Sequence, residues 1–175
     1  MRERCPGYPD VMDSSPDALL ALYLADHHAG STTGVELVRR AVGTNEGTEL
    51  GALLERLAGE IERDRDELAR VMESVGAGSD RAKDAMAWVG EKAGRLKANG
   101  QLTGTSPLSR LVELEGLSLG IEGKRLLWLA LDAAADPRLS EYDFAALAER
   151  AERQREELEP HRVAAATSAV AVNGS

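Results

Sequence analysis

Four long segments of this chain repeat apolar residues at alternating intervals of three and four, the spacing of helices packed side by side. The first seam reads Leu20, Tyr23, His27, Gly30, Gly34, Leu37, Ala41, and the second Leu50, Leu54, Leu57, Ile61, Asp64, Leu68, Met72, Val75. The third reads Leu108, Leu111, Glu115, Leu119, Glu122, Leu126, Leu129, and the fourth Phe144, Leu147, Ala151, Gln154, Leu158, His161, Ala165. No segment alternates with the period of two that a half-buried strand requires. Hydrophobic residues make up 43% of the chain but aromatics only 3%, so the core must be built of Leu, Ala, Val and Ile. The expectation is an all-α fold.

Local signals set the helix boundaries. Ser15-Pro16-Asp17 and Ser106-Pro107 each place a capping serine before a proline suited to the first helical position. The first helix is expected to end at Gly43, and the second to run over 48–75 with Gly76 and Gly78 beyond it. A shorter amphipathic helix is expected over 80–97, with Asn99-Gly100 after it. The third helix should stop before Asp136-Pro137. The fourth, over 141–166, opens at the capping pair Ser140 and Asp143, and Pro160 should kink or shorten it. Residues 1–14 and 167–175 read as flexible tails around one domain, 15–166. Short turns join helices one and two and helices three and four, so each pair should be an antiparallel hairpin. The long link between the pairs makes this a ferritin-like four-helix bundle with a long helical crossover between helices two and three.

Each seam carries a polar side chain near its middle. Reflecting each hairpin about its turn brings His27 level with Asp64, Glu122 with Gln154, and Glu115 with His161. Buried carboxylates need partners. Three readings stand: a hydrogen-bonded network that fixes register, a metal site, or a small-molecule pocket. Gly30, Gly34, Gly116, Gly120 and Gly123 fall inside predicted helices, where each costs about 1 kcal/mol against Ala. Close helix packing or room for a ligand would account for them. A second apolar stripe on helix three, Leu114, Leu117, Ile121, Trp128, Leu131, calls for a cover, either the crossover helix or a second copy of the chain. The expected state is a homodimer.

The net charge of -9 sets the chain against phosphate backbones and anionic membranes. The basic run Arg81, Lys83, Lys92, Arg95, Lys97 reads as a solvated face. The single cysteine, Cys5, fits a reducing cytoplasm. The N-terminus lacks an apolar signal-peptide core, and no apolar run reaches the roughly 20 residues of a membrane span. No Ser/His/Asp order, Cys/His pair or phosphate-binding glycine loop stands in a usable setting.

The stretches Asp26-His27-His28-Ala29-Gly30, Glu91-Lys92-Ala93-Gly94-Arg95-Leu96-Lys97, Ser106-Pro107-Leu108-Ser109-Arg110 and Gln154 to Arg162, with the crossover and the central polar layer, resemble the ferritin-like superfamily, in a bacterial branch with degenerate metal-ligand positions. Di-iron members of that superfamily take Glu from helices one and three and Glu-x-x-His from helices two and four. Here helix three offers Glu115 or Glu122, helix two Asp64-x-x-Glu67, helix four Gln154-x-x-Glu157 and helix one His27; no Glu-x-x-His occurs. The polar residues of the seams make a candidate metal set of His27, Asp64, Glu115, Glu122 and His161. The leading expectation is a non-enzymatic structural or interaction module with no cofactor. The alternatives are an iron-, manganese- or zinc-binding protein with oxidoreductase or metal-handling activity, and a bundle that binds a small ligand.

Overall fold

The computed structural model describes residues 15–77 and 106–170, which form four α-helices and one 3-10 turn, with no strand among them. In α1 (Pro16–Thr44) the Ser15 hydroxyl accepts the Ala18 amide at 3.3 Å. Gly43 does not end this helix. The stop comes at Asn45, whose side-chain amide donates to the Ala41 carbonyl at 2.7 Å, followed by Gly47 at φ 73°. Thr48 then caps α2 (Glu49–Ser74) through the Gly51 amide at 3.0 Å. This turn is tight: a Cβ on Gly51 would lie 2.1 Å from the Asn45 carbonyl oxygen. Gly76 follows α2 at φ 71°.

Ser106 caps α3 (Pro107–Ala134) through the Ser109 amide at 3.1 Å, and the helix ends on Ala135, left-handed at φ 48°. A 3-10 turn (Pro137–Leu139) precedes α4 (Phe144–Val170). The last helix begins at Phe144 rather than Glu141, because the turn takes up the chain and Asp143 alone caps it, accepting the Ala146 amide at 2.9 Å. It also continues past the expected end at Ala166. The hydroxyls of Thr167 and Ser168 fold back on the Val163 and Ala164 carbonyls, each at 3.0 Å, and so join the helix. The expected tail over 167–175 is therefore helical as far as Val170. Pro160 lies within α4, exposed, and does not terminate it.

The hairpins pack as expected, α1 on α2 and α3 on α4, and further contacts join α1 to α3 and α2 to α4. Arg40 meets Glu113 at 3.1 Å and Asp17 meets Arg138 at 2.9 Å, so α1 runs antiparallel to α3. The pairs Arg56–Glu157 and Asp64–Arg150 show the same for α2 and α4. It follows that α2 and α3 run in the same direction, and the end of one lies at the opposite end of the bundle from the start of the other. The expected helix over 80–97, Trp88 and the basic run lie outside the described residues.

The core has two parts. One is built around Val38, Leu54, Leu57, Leu114, Leu117 and Leu158. The other gathers Leu24, Leu68, Val71, Leu127, Trp128 and Phe144, with Trp128 and Phe144 stacked at 6.0 Å. The seams of α2 and α4 are buried nearly throughout. That of α3 is not. Leu119 is 74% exposed, and Leu108, Leu126 and Leu129 are also exposed. The stripe through Leu114, Leu117, Ile121, Trp128 and Leu131 is the true core face. The seam of α1 also shifts, to Leu24, Ala25, Val35, Val38 and Ala41.

Candidate functional site

Between the two core parts lies a polar layer. Asp64 sits on the buried seam of α2 and is 2% exposed. Its Oδ1 accepts from the Arg150 guanidinium on α4, and its Oδ2 from the Lys124 ammonium on α3. The Lys124 ammonium also donates to Gln154 Oε1 at 2.6 Å. The Gln154 amide nitrogen donates to Glu60 Oε2 at 2.9 Å and to Asp64 Oδ2 at 3.3 Å. Asp64 thus pairs directly with two cations, and the Gln154 amide links Lys124 and Asp64 to Glu60. Burial pushes the Lys124 ammonium below the usual lysine range; Arg150 adds to the shift, while Asp64 and Glu60 oppose it. A network of this kind ties three helices to one register.

On the side of this layer facing α1 the bundle is hollow. A cavity of about 280 Å³ lies between α1, α2 and α3. To it α1 brings His27, Gly30, Ser31 and Gly34. From α3 come Gly116, Gly120 and Gly123. Apolar walls are supplied by Ile61, Leu68, Leu117, Ile121, Leu127 and Trp128, and Asp26, Asp64, Arg65 and Lys124 add charge. Among the described residues, a Cβ built on Gly30, Gly34, Gly120 or Gly123 meets nothing within 4 Å, whereas one on Gly116 lies 3.2 Å from Leu37 Cδ2. Close packing therefore accounts for Gly116 and not for the other four. Trp128 is fully buried, and its indole N–H finds no acceptor among the described residues. The His27 ring meets the Tyr23 ring edge-on at 4.6 Å. Burial lowers the His27 pKa against the opposing pull of Asp26, and burial with Arg65 lowers that of His28.

The residues proposed as metal ligands are dispersed. Asp64 is engaged by Lys124 and Arg150, not by His27. Glu122 lies at the surface in a two-pronged pair with Arg125 at 2.8 and 2.9 Å, which holds its carboxyl below the usual range. It does not reach Gln154. Glu115 is half-exposed and nearest Arg162 at 3.7 Å, with no bond to His161. Among the described residues no three His, Cys, Asp or Glu side chains gather where one ion could bind them all. The predicted set does not fit a di-iron or mononuclear centre, since arginine or lysine already engages each of its carboxylates.

The sequence reading missed Lys124 and Arg150. Lys124 stands on the apolar stripe of α3, between Ile121 and Trp128 at intervals of three and four, and a lone cation there is the signal that points to a buried acidic partner. Arg150 precedes Gln154 by one helical turn. Comparison of the chain with protein-family models, curated proteins and solved structures finds no match.

Proposed function

We propose that this protein is a non-enzymatic helical bundle that binds a small molecule in the cavity between α1, α2 and α3. The carrying observation is the set of glycines. Gly30, Gly34, Gly120 and Gly123 sit inside helices and border empty space. Each costs about 1 kcal/mol against Ala, and among the described residues no neighbouring backbone or side chain requires the small residue. A pocket that must stay open does. The volume falls just below the roughly 300–1,000 Å³ of small-molecule sites, with the same mixture of apolar walls and a few polar groups. The parallel course of α2 and α3, with every neighbouring pair antiparallel, supports a ferritin-like bundle with a long crossover. The single cysteine fits a cytoplasmic setting. No helix among the described residues is long and apolar enough to cross a membrane.

The test is calorimetric titration of the whole protein with 1-naphthalenemethanol, a compact neutral apolar probe. The reading expects saturable binding that weakens in Gly120→Ala and Gly123→Ala, which stay folded and melt no lower than the parent. Binding unchanged in both variants, or none at all, would end it.

A second reading, as an interaction module, rests on the exposed stripe of α3. With Glu115 and Glu122 between them, the exposed Leu108, Val112, Leu119, Leu126 and Leu129 follow the four-three spacing of a coiled-coil seam. The middle of the stripe is self-complementary about Leu119: a two-fold axis there sets Val112 against Leu126. Its acidic members are already neutralised, Glu115 by Arg162 and Glu122 by Arg125 and Arg155. A second copy of the chain fits this face.

A further inference from the structure

The charges on the cavity wall select among ligands. Resting on the reading of this cavity as a small-molecule site, we propose that it takes a compact apolar molecule bearing one carboxylate, held by the Lys124 ammonium. An ammonium has three N–H donors. Lys124 directs one to Asp64 and one to Gln154, and its third has no acceptor among the described residues. Lys124 lines the cavity, so a ligand oxygen can take that donor.

Asp64 is less suited to a matching role for a cationic ligand. Its oxygens already accept from Arg150, Lys124 and Gln154, and the two cations bound to it repel a ligand ammonium. Arg65 is a second cation on the wall. It donates to Asp66, an adjacent surface aspartate that is 59% exposed, and such exposed pairs contribute little. A ligand carboxylate can draw on the remaining guanidinium donors. The exposed Asp26 faces the same cavity and repels an anion from its own side, which directs the carboxylate toward Lys124. The hydrocarbon body then lies against Leu117, Ile121 and Trp128 and the bare backbone of the glycines.

Three probes of one shape distinguish the possibilities in the intact protein: 1-naphthoate, 1-naphthalenemethanol and 1-naphthylmethylammonium, titrated calorimetrically. A charge-assisted hydrogen bond in a buried site predicts that naphthoate binds about tenfold or more tighter than the alcohol, with the ammonium weakest. In Lys124→Met that preference should vanish while the alcohol still binds. Lys124→Gln, which keeps a neutral donor, should retain part of it. The comparison of the three probes on the parent protein holds even where a variant fails to fold. Equal affinity for naphthoate and the alcohol, or strongest binding of the ammonium, overturns this proposal and leaves the cavity reading standing. Binding of none of the three removes both.

Discussion

Asp64 and Lys124 lie on different helices, α2 and α3, and form an ion pair in the buried middle of the bundle. The aspartate side chain is 2% exposed and the lysine side chain 14%, and Gln154 bonds to both. The pair occupies the level at which the apolar core is interrupted and the cavity opens. It therefore both links the two core parts and forms a wall of the site.

Removing one partner should cost far more than removing both. Asp64→Ala leaves the Lys124 and Arg150 cations facing each other without an anion between them, and the expected loss in urea unfolding is about 3–5 kcal/mol. Asp64→Leu combined with Lys124→Met should recover most of that loss. A double variant as unstable as the sum of the single ones would show that the pair is not coupled.

Leu57→Ala and Leu126→Ala separate the buried seam of α2 from the false seam of α3. Leu57 is fully buried, so its truncation should destabilise by about 2–5 kcal/mol. Leu126 is 51% exposed, and its change should stay within about 0.5 kcal/mol in dilute, monomeric protein. Comparable losses at both positions would place Leu126 back in a core.

Glycine substitutions should act in opposite directions at two sites. Gly51→Ala forces a Cβ to 2.1 Å from the Asn45 carbonyl, so the turn between α1 and α2 must shift and the melting temperature should fall. Gly120→Ala adds helix propensity in open space and should stabilise by up to about 1 kcal/mol. Thermal melts of the two variants side by side decide the matter.

Acid should destabilise the protein before its carboxylates titrate. His27 and His28 have folded pKa values below the ordinary 6.5. As pH falls through 6.5 the unfolded chain binds these protons first, so stability declines from there down to the lowered folded values. The depressed carboxyl of Glu122 adds a further loss at lower pH, as it is protonated. In the double variant His27→Gln, His28→Gln, melting temperature between pH 7 and pH 5 should fall less steeply than in the parent. An unchanged slope would assign the acid loss to other groups.

A homodimer through the exposed face of α3 is the expected state in solution. Sedimentation equilibrium at micromolar concentration should return twice the chain mass, and Leu119→Glu, which sets two charges on the axis, should return the monomer. A parent protein that is monomeric throughout rules out this face as an interface between copies.

The elements themselves could be read from local chemistry. Ser15-Pro16 and Ser106-Pro107 act as caps, and the buried seams of α2 and α4 have the intervals of three and four that periodicity foretells. Capping and amphipathic spacing are properties of a short stretch of chain, so sequence determines them. The inward face of α3 is another matter. This helix carries two apolar stripes, through Leu119 and Leu126 and through Leu117 and Trp128, and only the positions of α1 and α4 decide which is buried. Tertiary structure likewise chose the partner of Asp64. Reflection about the turn brings His27 to its level, yet lysine and arginine have the reach to bring charge from helices that the sequence cannot orient. The glycines left close packing and room for a ligand both open, because a glycine in a helix reads the same whether a neighbouring helix or empty space lies beyond it, and only tertiary structure separated them.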